Sequence, residues 1–199
     1  MNMKRPIFLM IVLGILAIPV FTFPSSWQID PDHSSIQFKV RHLTVSNVKG
    51  EFGKAKGAVL IDDQNITNLK VEISIDATSI NTGHAKRDDH LRNPDFFDVA
   101  RYPTITFISK KVTKAGPDQL KVVGDLTIRG VTREVTVDIE GPTQEVKDFS
   151  GNLRRGATGT AKINRRDFGI TWNRTLDTGG LVVGDEVNIN VEFELIKKN

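Results

Sequence analysis

The chain has 199 residues, a length that favours a single domain with a sizeable hydrophobic core. It contains 27 Lys and Arg against 24 Asp and Glu, and two of the basic residues, Lys4 and Arg5, lie near the N-terminus. The remaining 25 basic and 24 acidic residues nearly balance, which disfavours a nucleic-acid partner because such a partner requires a basic surplus. The absence of cysteine excludes disulfides, thiolate nucleophiles and metal centres with Cys ligands.

The N-terminal segment has the pattern of an export signal. Lys4 and Arg5 precede an apolar run from Ile7 to Phe23, and a charged region followed by a hydrophobic one is typical of a signal peptide. We therefore expect residues 1–26 to be a signal peptide and residues 27–199 to form the exported domain. Since the run is near the lower length limit for crossing a bilayer, a retained N-terminal anchor is the alternative.

From Trp27 onward, apolar and polar residues alternate with the two-residue period of half-buried β-strands. The apolar members of the regular segments are Ile36, Phe38 and Val40; Leu69, Val71, Ile73, Ile75 and Ala77; Leu120, Val122, Gly124, Leu126 and Ile128; Val135, Val137 and Ile139; and Val187, Ile189, Val191, Phe193 and Leu195. Less regular runs cover residues 48–61, 104–112 and 157–163, which gives about eight strands. Turn residues at 62–65, 115–118, 129–130 and 141–142 predict a meander of antiparallel strands.

Alternation alone does not separate a closed barrel from a two-sheet sandwich. An eight-stranded barrel is wide enough to be filled by its own side chains or to hold one small ligand. Ala157, Gly159 and Ala161 share one face of a strand. Residues this small either leave interior volume vacant or allow a helix or another backbone to approach closely. Because vacant volume is costly for stability, a retained cavity would indicate a ligand.

Residues 81–101 depart from the strand period. The residues that recur there at helical spacing are His84, Arg87, Asp88 and Leu91. This spacing predicts a short helix or loop over one barrel end. Its charged residues and the pair Phe96–Phe97 form either a polar mouth beside an aromatic lid, or a solvated helix with ion pairs such as Asp88 to Arg92 and with phenylalanines in the core.

The sequence contains no convincing motif for catalysis or for cofactor binding. The chain lacks a nucleophile elbow, a phosphate loop and a dinucleotide fingerprint. His84 and His90 are six positions apart, a spacing that does not place both imidazoles on one helical face, so a metal site is disfavoured. Asp88 and Asp89 are adjacent, and their carboxylates therefore diverge rather than face each other across a substrate. We expect a binding protein with no metal and no cofactor.

Several segments, taken in order, carry a family resemblance. They are Asp30–Ser34, Phe38–Leu43, Gly50–Phe52, Ser79–Gly83, Arg87–Leu91, Phe96–Val99, Tyr102–Pro103, Gly124–Thr132, Arg165–Ile170 and Gly184–Val187. Together they resemble the YceI-like family of bacterial polyisoprenoid-binding proteins from Trp27 to about Lys197. The stretch Arg154–Ala157 departs from the family pattern because it lacks an aromatic residue often found after its glycine.

The resemblance implies an all-β fold, an eight-stranded antiparallel lipocalin-like barrel with a short helix at one end. It also implies export to the periplasm and an apolar interior that holds a long polyisoprenoid or similar amphiphile for transport, storage or stress protection. Family members are associated with stress responses and small membrane cytochromes, and some form dimers. The implied partners are therefore a long-chain apolar ligand, a membrane or membrane-protein donor or acceptor, and a second copy of the chain.

An apolar inner wall, which the alternating pattern predicts, is sufficient to bind a long apolar tail. Sequestering each methylene from water contributes ~0.8 kcal/mol, so a tail of about fifteen carbons supplies on the order of 10 kcal/mol before association costs. One charge-assisted contact to a head group adds about 1.5–3 kcal/mol. We therefore expect the tail to set affinity and the mouth to set orientation.

The candidate ligand contacts follow from this division, although each apolar position is explained equally well by core packing. The expected tunnel residues are Phe38, Val40, Val71, Ile73, Ile75, Phe107, Leu126, Ile128, Val137, Ile139, Val191 and Phe193, with Ala157, Gly159 and Ala161 providing room. The expected mouth residues are Arg87, Asp88, His90, Phe96 and Phe97. Two alternatives of other classes are a lipid-modifying enzyme that uses His90 and Asp88 at the mouth, and a structural, membrane-tethered β-sandwich with a filled core and no ligand.

Overall fold

The computed structural model describes residues 24–53, 55–175 and 180–198. The predicted export segment before residue 24 lies outside these ranges. Within them the elements are β1 (Ser25–Ile29), β2 (Ser35–His42), β3 (Ser46–Phe52), β4 (Ala55–Ile61), β5 (Lys70–Asp76), β6 (Ile80–Asn81), α1 (Ala85–Arg92), β7 (Thr104–Lys114), β8 (Gln119–Ile128), β9 (Val131–Glu140), β10 (Val146–Lys147), β11 (Leu153–Asn164) and β12 (Val183–Lys197). Ser25 and Ser26, assigned by the sequence to the signal peptide, belong to the folded domain because they pair with Ile61 and Leu60 of β4.

The barrel wall has eight strands, three of which are interrupted. β1 and β2 run one after the other along the same edge of β12. The second interrupted strand consists of β4, which pairs with β1, and β3, which pairs with β2. The third consists of β5, which pairs with β4, and β6, which pairs with β3. The wall then follows the chain through β7, β8, β9 and β11, and the pairing of β11 with β12 closes it. The predicted meander and the implied barrel are confirmed, and the sandwich alternative is wrong because a single sheet closes on itself.

The interruption between β1 and β2 spans residues 30–34. Pro31 has no amide hydrogen and cannot continue the ladder to β12. The Asp30 N–H instead donates to the Glu194 carbonyl at 2.9 Å, and the Glu194 N–H donates to Ser34 Oγ at 3.0 Å. β12 therefore stays bonded to this wall strand through the break.

The predicted turns all separate consecutive strands. The tightest is Arg129–Gly130, which joins β8 to β9 with Ile128 paired to Val131. Both turn residues have positive φ, 51° and 72°. This is the two-residue turn whose twist matches that of the flanking strands, and glycine is the residue that adopts it at least cost.

α1 is the short helix that the spacing predicts. His84 precedes it, and His84 Nδ1 accepts a long hydrogen bond, 3.4 Å, from the Arg87 N–H. The expected ion pair is wrong in its acidic partner, because Arg92 Nη1 lies 3.1 Å from Asp89 Oδ1 rather than next to Asp88. Within the described ranges, the helices are too short or too polar to cross a bilayer.

The inward faces of the strands are those that the alternation predicts, but they are packed unequally. On the β4, β5, β7 and β8 side most inward side chains are buried, including Ile61, Ile73, Ile75, Ile105, Phe107, Val122, Leu126 and Ile128. On the β2, β9, β11 and β12 side most are only half-buried, including Phe38, Val40, Val135, Val137, Ile139, Ala157, Ala161, Val187, Ile189, Val191 and Phe193. The inward side chains of the first group of strands are therefore more fully covered than those of the second group.

One end of the barrel is closed by Trp27, which is 0% exposed. The Arg155 guanidinium carbon and Lys197 Nζ lie 5.1 and 5.4 Å from the centre of its ring system, within the range of cation–π contacts. Glu145 Oε1 joins the two cations, at 3.3 Å from Arg155 Nη2 and 2.8 Å from Lys197 Nζ. The aromatic ring and its paired cations thus form a plug opposite the end that carries α1.

A network of charges ties the β1–β2 interruption to β11 and β12. Arg154 Nη1 lies 2.6 Å from both Asp30 Oδ2 and Glu194 Oε1, and Arg154 Nε lies 2.6 Å from Asp148 Oδ2. His33 Nδ1 contacts Asp30 Oδ2 at 2.9 Å. Although Asp30 is only 6% exposed, the hydrogen bond from Arg154 holds the pKa of its carboxyl at about 2, against an ordinary value of 3.8. The network is therefore a stabilising element that depends on Arg154.

We predict that Arg154→Gln lowers the free energy of unfolding by about 2–4 kcal/mol, because it leaves the buried Asp30 carboxylate without its counter-charge. Urea unfolding at pH 7 measures the change. The matched control is Lys121→Gln, which removes an exposed pair with Asp138 and is expected to cost less than about 1 kcal/mol. Equal losses in the two variants would contradict the assignment.

We also predict a specific pH dependence of stability. A carboxyl group whose pKa is lowered on folding stabilises the native state above its unfolded pKa, and this contribution disappears as pH falls through the folded pKa. For Asp30 the window runs from about 4 down to about 2. We expect the difference in unfolding free energy between the wild type and Asp30→Asn to shrink as pH falls from about 4 to about 2, and urea unfolding at a series of pH values below 5 measures it. A gap that persists unchanged below pH 3 would contradict this expectation.

Candidate functional site

The barrel encloses a cavity of about 380 Å³. Its wall consists of the inward side chains of the strands, and α1 together with residues 165–172 covers the end opposite Trp27. A volume of this size is within the range of cavities that hold small organic ligands, roughly 300–1,000 Å³. Interiors otherwise pack with few voids larger than a water molecule, so this cavity is the candidate functional site.

The structure places nearly all the sequence-predicted contacts on this cavity. All fifteen expected tunnel residues line it, from Phe38 on β2 to Phe193 on β12. Of the expected mouth residues, Arg87, His90, Phe96 and Phe97 also line it. These positions share one continuous surface, and their contact with a ligand stays a prediction.

Asp88 is the exception, since it is absent from the cavity wall. Its buried carboxylate accepts a hydrogen bond from the Thr82 N–H at 2.9 Å and a short one from the Thr82 hydroxyl. Asp88 therefore fixes the segment that leads into α1. The sequence misplaced it because helical spacing does not show which side of a helix a preceding loop occupies.

The small residues of β11 serve two different purposes. A Cβ atom on Gly159 would lie 2.7 Å from Ile139 Cδ1 and 2.8 Å from Val191 Cγ2. Neighbouring side chains, rather than a helix or a second backbone, thus approach closely at this position. Ala157 and Ala161 are half-buried on the cavity wall, where their small side chains leave the space in front of them open.

An aromatic cluster forms the covered end of the cavity. The rings of His90 and Phe96 lie 5.0 Å apart, those of His90 and Trp172 5.0 Å, and those of Phe96 and Trp172 5.2 Å. His90 Nε2 also lies 2.9 Å from Asp95 Oδ2. The predicted aromatic lid and the alternative of core phenylalanines each describe part of this arrangement, because Phe96 is buried yet lines the cavity.

Arg165 fastens this end to the barrel. It is 4% exposed, and Nη1 donates to the carbonyls of Ile170 and Trp172 at 2.7 and 2.9 Å. Nε donates to the Gly184 carbonyl at 2.9 Å, and Nη2 lies 2.9 Å from Asp185 Oδ1. Sequence reasoning missed Trp172 and the role of Arg165, because residues 165–172 have no strand or helix period to mark which side chains turn inward.

Asp30, His33 and Glu194 place ligand-type atoms within 4.8 Å of one another. Arg154 Nη1 already lies 2.6 Å from both carboxylates, so a guanidinium occupies the position that a cation would take. The cluster is thus accounted for by the ion-pair network described above.

Comparison with known proteins agrees with this architecture. The model of the YceI-like domain family matches residues 27–195. UPF0312 proteins of Staphylococcus aureus strains MSSA476 and MRSA252 are 38% and 39% identical over 170 residues, which cover 85% of this chain and 96% of theirs.

Solved structures show the same barrel. BcnA of Burkholderia cenocepacia superposes with a TM-score of 0.71 at 26% identity, over 83% of this chain and 98% of that one. The YceI protein of Campylobacter jejuni gives 0.66 at 33% identity, over 80% and 90%. A polyisoprenoid binding domain from Saccharophagus degradans shares the fold, with a TM-score of 0.64 at 15% identity over 87% and 99%. With its sequence match and its closed barrel, this chain belongs to the YceI-like family.

Proposed function

We propose that this protein is exported to the periplasm and holds one long-chain amphiphile, a polyisoprenoid or a similar lipid, with its tail in the barrel cavity. The observation that carries the proposal is the cavity itself, whose apolar wall side chains on β2, β9, β11 and β12 are left half-buried. Exposed apolar surface of this extent is unfavourable unless a ligand covers it. The description of the Saccharophagus degradans neighbour as a polyisoprenoid binding domain supports the same ligand class.

The cavity volume indicates the length of tail that fits. An engineered 150 Å³ cavity accepts a six-carbon benzene ring, so 380 Å³ corresponds to roughly fifteen carbons. At ~0.8 kcal/mol per methylene, a tail of that length supplies on the order of 10 kcal/mol, from which the cost of association is subtracted. Tail burial alone therefore accounts for stable binding.

Binding without catalysis is the function that the mouth supports. The enzyme alternative requires a titratable pair beside the bound tail, and the sequence offered His90 with Asp88. Asp88 is instead turned to Thr82, and His90 packs among aromatic rings with Asp95 beside it. Transport, storage or protection of the amphiphile under stress each need only a cavity that can be filled and emptied. A membrane or membrane protein as donor or acceptor, and a homodimer, stay predictions from the family resemblance.

We expect mass spectrometry of an organic extract of the natively purified full chain to show a lipid species at about one molecule per chain, with a tail of about fifteen carbons inside the cavity. Native mass spectrometry before and after extraction checks the stoichiometry. A chain that contains no lipid, and that binds neither added farnesol nor added palmitate, would exclude the proposed function.

Filling the cavity should separate binding from stability. Ala157→Phe adds a six-carbon ring to the wall, which takes the place of roughly six tail carbons, so affinity for palmitate is expected to fall at least tenfold. The free energy of unfolding is expected to change by less than about 1 kcal/mol, because the ring enters vacant space rather than a packed core. Titration calorimetry and urea unfolding measure the two effects.

The matched control is Thr158→Phe, which places the same ring on the exposed outer face of β11. It should leave affinity unchanged. If Ala157→Phe instead destabilises the fold by several kcal/mol, the interior next to β11 is packed and the proposal is wrong.

A further inference from the structure

No acidic side chain lines the cavity within the described part of the chain. The polar lining residues are Gln37, Arg41, His42, Arg87, His90 and Arg165. Gln37 and Arg41 are exposed and alternate with the inward Ile36, Phe38 and Val40, so their side chains lie on the outer face of β2. The inward polar residues are therefore two arginines and two histidines, and a lining with basic but no acidic side chains favours an anionic group inside the cavity.

Contacts link three of the four inward basic residues, His90, Arg165 and His42, across the covered end. Arg87 and His90 are one helical turn apart on α1, and the His90 ring lies 5.0 Å from that of Trp172. The Trp172 carbonyl accepts from Arg165, whose Nη2 donates to the Val183 carbonyl at 3.3 Å. Val183 is paired with His42 at the end of β2. The four inward basic residues, here called the basic cluster, therefore span the covered end from α1 to the end of β2.

Not every member of the basic cluster has hydrogen-bonding capacity to spare. The hydrogen bonds of Arg165 go to carbonyls and to Asp185, and His90 Nε2 lies 2.9 Å from Asp95 Oδ2. Arg87 differs, since Nε and Nη2 donate to Thr82 while its Nη1 has no partner in the described ranges. The His42 imidazole likewise has no hydrogen bond or ion pair within the described part of the chain.

Arg87 is half-buried and forms no direct ion pair with a described residue, because its link to the Asp88 carboxylate runs through the Thr82 hydroxyl. An anion bound at the free nitrogen of such a guanidinium would offset the cost of its partial desolvation. His42 continues the inward row of Ile36, Phe38 and Val40, so its imidazole follows directly on the apolar wall. Both groups stand where the head of an amphiphile meets the end of its buried tail.

We propose that the mouth selects amphiphiles with an anionic head group, a carboxylate or a phosphate, and that Arg87 and His42 are the residues that contact it. The inference rests on the proposed function, because it assumes that the tail occupies the cavity. Beyond the proposed function, the inference specifies the charge of the head group, which the apolar wall does not determine. One charge-assisted hydrogen bond corresponds to roughly a tenfold to hundredfold gain in affinity over an uncharged head.

The test compares probes with matched tails on the full chain, at concentrations below micelle formation. Palmitate is paired with hexadecanol, and farnesyl phosphate is paired with farnesol. Trp172 lies in the mouth, and Trp27 is buried at the far end as a constant background, so tryptophan fluorescence reports binding. We expect at least one anionic probe to bind tenfold or more tightly than its alcohol. A preference confined to palmitate identifies a carboxylate, and one confined to farnesyl phosphate identifies a phosphate.

Variants assign the preference to the two residues. Arg87→Gln and His42→Gln are each expected to reduce the anion preference to less than about threefold while affinity for the alcohol is retained. Lys86→Gln is the matched control, because it removes an exposed cation from the same helix. His42→Gln keeps the test decisive if loss of the Arg87 bonds to Thr82 disturbs α1, since His42 has no such bonds.

Three results would overturn the inference. Equal affinity for charged and uncharged probes would show that the head group is not selected, while binding of both would leave the proposed function intact. A loss of preference in Lys86→Gln as large as that in Arg87→Gln would assign it to the general charge of the helix. Failure of all four probes to bind would count against the proposed function itself.

Discussion

Closing eight antiparallel strands into a ring fixes the circumference of the wall, and the inward side chains must fill whatever volume the ring encloses. In this barrel they do so only in part. Isoleucine and phenylalanine on β5, β7 and β8 are buried, whereas the inward side chains of the other strands, Phe193 among them, are only half-buried, and Ala157 and Ala161 add little volume. The cavity, its apolar lining and the proposed ligand all depend on this incomplete filling.

The two barrel ends differ in a way that gives the cavity a direction. At one end Trp27 fills the cross-section and is held by two cations that share Glu145. At the other end the cover consists of α1 and an irregular segment that Arg165 fastens through backbone carbonyls. A plug within the strands moves only if the barrel opens, whereas a cover made of a short helix and a loop can move while the wall stays intact. We therefore expect the proposed amphiphile to enter and leave at the α1 end.

Much of the wall could be predicted from the sequence, because a two-residue period assigns every strand residue to one face. The inward positions and the turn at Arg129–Gly130 follow from local rules of this kind. The interruptions do not, since the break at Pro31 is bridged by Ser34 and Glu194, which are 160 positions apart in the chain. Closure of the ring likewise depends on the pairing of β11 with β12, which alternation alone does not determine.

For the site, too, residues within strands could be predicted from the sequence, whereas residues that depend on distant partners could not. Tunnel residues lie within strands and could be chosen by period, but Asp88, Trp172 and Arg155 depend on partners that no period reveals. Arg155 shows this most clearly. In the structure this inward arginine lies against the ring of Trp27 on β1, a contact that no local pattern predicts.

The division between tail and head also has a physical consequence for selectivity. Burial of a tail is non-directional and scales with area, so the wall accepts any apolar chain of suitable length. Discrimination between ligands of equal tail must come from groups that the tail does not touch, and within the described chain the inward basic side chains of the cavity wall form such a set. In the proposed complex the head group would contact these residues and the apolar wall would hold the tail. A mouth that distinguishes head groups and a wall that does not would hold several amphiphiles of one charge class with similar affinity.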